Sequence, residues 1–202
     1  ERTNSNILNT LEKTQTNNEL LYNKLSDIQH QPCTINNITV NNKFNINVLL
    51  NTHYKNAISL EDFKTRLKLT LDDLLYTKDN GYVKGITNIF IKNLEELGPS
   101  IRPIHCSNPE NSSFYVKSKD DWVEDIEHIR LNLAIDNIAQ AQLNHINQWQ
   151  CENKEWSNSE KGKQEYLEIV KSIMGGTTNE EKERDVSKIK HTLGHNLELI
   201  TQ

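Results

Sequence analysis

Ile7, Leu11, Thr14, Asn18, Leu21, Leu25 and Ile28 recur at alternating intervals of four and three residues along the opening stretch ERTNSNILNTLEKTQTNNELLYNKLSDIQH. This is a heptad seam: Ile7, Thr14, Leu21 and Ile28 hold d positions, and Leu11, Asn18 and Leu25 hold a positions. The seam is narrow and the remaining faces are polar, so one such helix alone has little to bury and is marginal in water. It hides its apolar edge by lying beside copies of itself. Residues 1–31 are therefore expected to form a parallel coiled coil, with the seam residues as the oligomer interface of a homodimer or homotrimer. Asn18 at an a position trades stability for register and strand number.

Pro32 pushes Gln31 out of the α region and ends the pattern. In the following TINNITVNNKFNINVLLNTHY, Ile38, Val40, Asn42, Phe44, Ile46, Val48 and Leu50 alternate with Asn37, Asn41, Asn45 and Asn47. Period two predicts β structure, so residues 32–58 read as an Asn-rich β ribbon or linker that pairs between subunits or with a sheet downstream. Residues 59–202 read as a mostly helical domain. Ser59 and Asp62 open a helix whose face, Leu60, Phe63, Leu67, Leu71 and Leu74, runs to about Tyr76; TKDNG turns the chain. Val83, Ile86, Ile89, Phe90, Leu94 and Leu97 mark the next helix, stopped by Gly98-Pro99.

A hairpin is expected over 102–124, with Ile104, Cys106, Phe114 and Val116 inward and His105, Tyr115 and Lys117 outward. Asp121–Glu124 is a third strand or a helix entrance. The long helix from about Asp125 places Leu131, Ile135, Ile138, Gln142, His145 and Trp149 on one line, widened by Ile126, Ile129, Leu133 and Ile146. Ser157 with Glu160 opens a further helix that ends at Gly175-Gly176. Thr178 with Glu181 opens the last one, carrying Val186, Ile189, Leu193, Leu197 and Ile200. The fold class is mainly α with a small β component (α+β).

Mean hydropathy of −0.73, a net charge of −5 and scattered Lys and Arg argue against phosphate-backbone binding by this segment. Cys33, Cys106 and Cys151 lie far apart, and no histidine pattern complements them into a zinc-ligand set, so a reducing compartment is expected. No apolar stretch reaches the ~20 residues of a membrane span and no signal peptide opens the chain, so no membrane partner and an intracellular location are expected. The chain starts inside a helical pattern without Met, which suggests a preceding segment.

His105 and Cys106 are neighbours on a strand, point to opposite faces and cannot act as base and nucleophile together. Zinc ligation by His105 or Cys106 with His145 and Cys151 has no local spacing behind it, and there is no GxGxxG or GxxxxGK to hold a nucleotide. Asp72-Asp73, Glu95-Glu96 and Asp120-Asp121 are adjacent pairs that regular structure splays apart. No catalytic, cofactor or metal residue is assigned. A hairpin rim of Arg102, Lys117 and Lys119 beside helix 82–97 could act as a wing on DNA, but intervening acids weaken that reading.

In order along the chain, FNINVLLN, AISLEDF, GYVKGITNIFIKNLEEL, RPIHCSN, FYVKSKDDWVED, WSNSEKGKQEYLEIVKSIMGG and TNEEKERDVSKIKHTLG together resemble the C-terminal region of uncharacterised zinc-finger/coiled-coil proteins of nucleocytoplasmic large DNA viruses, mimivirus-like ones in particular. The resemblance implies upstream two-Cys, two-His fingers, association with DNA through that upstream segment, and a place in the infected cell's cytoplasm or nucleus or in the virion. It assigns no binding or catalytic role to a residue of this chain. The expected function is a non-enzymatic viral module that multimerises DNA-binding or partner-binding elements; a virion scaffold without DNA contact is the alternative, and an enzyme the third.

Overall fold

Ser59 and Thr178 start helices, and Gly98 and Gly175 end them, where the sequence puts them. A computed structural model describes residues 42–199, with side chains described from residue 46. These belong to one compact unit, Asn42–Gln202. Its elements are α1 (Asn42–His53), α2 (Leu60–Arg66), α3 (Leu71–Asn80), α4 (Tyr82–Leu97), β1 (Ile104–Asn108), β2 (Ser113–Ser118), β3 (Asp121–Glu124), α5 (Ile129–Glu152), a 3-10 turn (Trp156–Asn158), α6 (Glu160–Met174) and α7 (Asn179–Asn196). The unit is thus mostly helical with a small antiparallel sheet, ordered β1-β2-β3.

α4 is the central helix. Ile86, Ile89, Phe90 and Leu94 are fully buried along it, and Phe63 of α2 stacks on Phe90 with ring centroids 5.6 Å apart. α3 crosses α4 so closely that a Cβ at Gly85 would collide with Thr77. Thr77 donates from Oγ1 to the Asp73 carbonyl of its own helix and accepts from Nε2 of Gln142, which ties α3 to α5. Ile104, Cys106, Phe114 and Val116, the inner face of the sheet, close the same core with Leu131, Ile135 and Ile138 of α5 and Ile189 and Leu193 of α7. A separate cluster forms where α5, α3 and α6 meet, with Trp149 packed beside Trp156 and Tyr166.

Four expectations are corrected. First, residues 42–53 are a helix and not part of a β ribbon; residues 32–41 lie outside the described residues. Ile46, Val48 and Leu50 satisfy period two, but Ile46, Leu49 and Leu50 also satisfy i, i+3, i+4, and with Tyr54 they pack against Tyr115, Trp122 and Leu199. Packing against the sheet decides between the two periods. Second, the single helix from Leu60 to Tyr76 is two. Thr70 and Asp73 form a capping box that starts α3, and the Asn93 side chain takes both the Lys68 N–H and the Lys68 carbonyl, holding the break open. α3 then continues to Asn80, leaving Gly81 (φ 84°) as the turn.

Third, the cap of α6 is Ser159 rather than Ser157, because residues 156–158 form a 3-10 turn that stacks Trp156 on Tyr166 at 4.4 Å. Fourth, Ile126, Ile129 and Leu133 do not widen the buried stripe of α5; they are 73%, 55% and 57% exposed. Asp125 explains how. Its buried carboxylate accepts from the Arg130 and Leu131 N–H groups, and its own carbonyl accepts from His128 N–H, so α5 begins on a tight turn with His128 at φ 54°. That start rotates the first apolar residues away from the core.

Candidate functional site

The seam residues Ile7, Leu11, Thr14, Asn18, Leu21, Leu25 and Ile28 lie outside the described residues. The globular unit offers candidates of its own, beginning with the sheet. Strand alternation separates the two residues that looked most like chemistry. Cys106 is wholly buried in the inner core, where burial pushes its thiol up to about 11. His105 lies on the other face, 4.2 Å from the Tyr54 ring and 5.5 Å from the Trp122 ring, so the pair never meets.

The outer face is nevertheless not the solvent-facing surface expected of it. His105, Tyr115 and Lys117 are each at most 4% exposed. α1 covers them, seated by Leu50 and Tyr54, and the Trp122 Nε1–H donates to the Tyr54 carbonyl at 3.2 Å. The segment after α7 completes the seat: Cys106 N–H donates to the Leu197 carbonyl and Leu199 N–H to the Cys106 carbonyl, which pairs the free edge of β1 and places Leu199 in the outer cluster. Desolvation, aided by the Arg102 charge, lowers His105 to about 4, while a backbone acceptor at Pro99 partly opposes the fall. Lys117 donates from Nζ to the Asp120 carbonyl and lies 5.9 Å over the Trp122 ring.

These placements overturn the wing. Lys117 is buried, Arg102 donates to the Leu94 carbonyl at 3.1 Å, and helix 82–97 is the central core helix with no free recognition face like that of a winged helix. The adjacent acids Asp72 and Asp73 separate as expected: Asp73 is buried and pairs with Lys92 at 3.0 Å, whereas Asp72 is exposed.

An exposed apolar ridge is the feature that sequence reasoning missed. Ile126, Ile129 and Leu133 are exposed around the start of α5, and Leu133 also lines a groove of about 230 Å³ with Leu60 and Phe63 of α2, its C-cap Leu67, and Ala134 of α5. Glu61 and Lys64 stand on one wall and Arg130 on the other. The helical period alone put these isoleucines in the core, but α5 starts only at Ile129, with Ile126 in the turn before it and the Asp125 carboxylate accepting from the Arg130 and Leu131 N–H groups. A wider cleft between the α3–α4 turn, α6 and the start of α7 is lined by charges of both signs, among them Lys78, Asp79, Lys171, Glu181 and Arg184. Tyr82 in it is raised to about 12 by burial and by Asp136 and Asp185.

His191 and His195 share an exposed side of α7 with ring centroids 4.7 Å apart, a His-x-x-x-His spacing that the sequence reading passed over. No group of three or more His, Cys, Asp or Glu able to hold a metal occurs among the described residues. None of the described helices is long and apolar enough to cross a membrane. Comparison with protein-family models, with curated proteins and with solved structures finds no match to this chain.

Proposed function

We propose that the protein is a non-enzymatic homo-oligomerisation module that brings several copies of attached DNA-binding or partner-binding elements together. The heptad seam from Ile7 to Ile28 carries this reading, because a narrow apolar edge on an otherwise polar helix is satisfied by another copy of the same helix. The exposed Ile126, Ile129 and Leu133 at the start of α5 support it, since exposed apolar patches mark interaction surfaces. Joining copies raises the effective concentration of each attached element, so weak contacts add into avidity. The viral resemblance makes upstream zinc fingers and DNA the elements and target, in an infected cell or virion. A scaffold that links proteins and never touches DNA uses the same oligomer.

Light scattering of the 202-residue chain tests the reading. The expected mass is that of a dimer or trimer. Leu21→Asp with Leu25→Asp lowers it, and Asn18→Ile tightens association or changes subunit number. Equal masses for all three forms would refute the seam. Carrying the upstream sequence and finding no Cys-x-x-Cys and His-x-x-x-His motifs in it moves the function to scaffolding.

A further inference from the structure

α7 turns Ile189 and Leu193 into the core, and a period of 3.6 residues puts His191 and His195 on the opposite, exposed side, one turn apart. Their rings do not splay apart into solvent: the centroids are 4.7 Å apart, with the planes at 54°. Two imidazoles that bind one ion through a nitrogen each, at bond lengths of about 2.0–2.1 Å, bring their centroids to about 4.5–5.2 Å when the two bonds lie between a right angle and a tetrahedral one. The pair already stands at that spacing. Neither ring makes a hydrogen bond or ion pair with another described residue, so no nitrogen has to give up a partner to bind.

The ligand chemistry selects the ion. No third His, Cys, Asp or Glu among the described residues joins the pair. Two neutral imidazoles suit divalent copper, nickel, cobalt or zinc, and offer nothing to calcium or magnesium, which take oxygen ligands. His195 lies in the last turn of α7, where the unpaired carbonyls of the helix end make the field negative and favour a cation. We infer that His191 and His195 form a chelate site for one divalent transition-metal ion, with water in its remaining positions, and that the bound ion fastens the end of α7. The ion holds both rings only while the turn between them is helical, so binding stabilises that turn. The turn leads directly into the segment that closes the edge of the sheet, where Cys106 N–H donates to the Leu197 carbonyl and Leu199 N–H donates to the Cys106 carbonyl. Both ligands come from one copy, so the site is independent of the oligomer reading.

Calorimetric titration of the full chain with nickel(II) chloride near neutral pH tests the site. The unaltered chain binds one ion that His191→Gln and His195→Gln each weaken by about tenfold or more, because a single imidazole loses the advantage of the second one held beside it. The remaining histidines and the cysteines are common to all forms, so the difference belongs to the pair. Ser187→His added to His195→Gln rebuilds the four-residue spacing one turn earlier, at an exposed position of the same helix, and restores the affinity. Thr192→His added to His195→Gln, also at an exposed position, returns the number of imidazoles without the spacing and does not restore it. With nickel bound, hydrogen exchange at the Leu199 amide slows in the unaltered chain and not in His195→Gln.

Equal affinities for the unaltered chain and both single variants would put the ion elsewhere in the molecule and overturn the site. Rescue by Thr192→His as complete as by Ser187→His overturns it too, by reducing the effect to a count of imidazoles. A Leu199 amide that exchanges at the same rate with the ion bound removes the fastening of α7 while leaving the chelate in place.

Discussion

The sheet hides both of its faces, and the two are built from different chemistry. Toward the helices it presents Ile104, Cys106, Phe114 and Val116, all at most 1% exposed and all apolar. One residue along each strand, it presents His105, Tyr115, Lys117 and Trp122, equally concealed but carrying ring nitrogens, a phenol and an ammonium. The inner face is closed by four helices, α2, α4, α5 and α7. The outer face is closed by Ile46, Leu49 and Leu50 of α1, by Tyr54 and Ala57 just after it, and by Leu199, three residues past the last helix. Two donors there keep acceptors, Trp122 the Tyr54 carbonyl and Lys117 the Asp120 carbonyl, while His105 Nε2 is buried with no hydrogen-bond partner among the described residues. One face derives its stability from apolar burial; the other is conditional on pH and on α1 staying in place.

Truncating the inner face gives the largest effect. Phe114 is 1% exposed among rigid neighbours, so Phe114→Ala is expected to lower stability by about 3–5 kcal/mol in a urea titration, with an unchanged slope. A cost under about 1 kcal/mol would mean that the inner face is no better packed than the outer one.

The second prediction is confined to the outer face. His105 titrates at about 4 in the folded chain and at its ordinary 6.5 when unfolded. Above 6.5 the imidazole is neutral in both states and the group adds no pH dependence. Between 6.5 and 4 the unfolded chain takes up a proton that the folded chain refuses, so stability falls as the pH falls through that window, by an order of about 3 kcal/mol at its lower end. His105→Phe keeps a ring against Tyr54 and Trp122 and removes the titration. The difference between the two proteins' melting temperatures should therefore vary with pH only below about 6.5, and a constant offset from pH 7 to 4 would remove His105 from the account.

Lys117→Met sharpens the comparison at its smallest scale. The aliphatic stem remains buried, while the carbonyl of exposed Asp120 that loses its donor is free to take water. Stability should change by less than about 1 kcal/mol in either direction. A loss of several kcal/mol, read from the same urea midpoint, would show that the ammonium is an essential member of the outer face rather than a tolerated one.

Much of this architecture was legible beforehand, for local reasons. Ser59, Thr178, Gly98 and Gly175 mark helix ends through groups that bond within a turn of themselves, and those ends stand where the residues put them. The inner face was legible because Ile104, Cys106, Phe114 and Val116 alternate at a strand's period. Five things were not, two of them helix ends: the α2–α3 break at Lys68 and the Ser159 cap of α6. The outer face looked solvent-exposed because polar side chains usually are; only the arrival of α1 buries them. α1 itself was misread because Ile46, Val48 and Leu50 fit a strand as well as a helix. The ridge was misread because period places a residue on a side of a helix without saying where the core is, and Asp125 turned that side outward.

Residue chemistry by itself determined the helix ends at Ser59, Gly98, Gly175 and Thr178, which strand face is apolar, and that Cys106 and His105 part company. Each of these depends on neighbours a few residues away, or on the pleat. Tertiary packing alone decided that the polar face of the sheet is concealed, that residues 42–53 are helical, and that Ile126 and Ile129 are left in the open. Burial is a property of what arrives from elsewhere in the chain, and arrival from forty or seventy residues away leaves no trace in a local pattern.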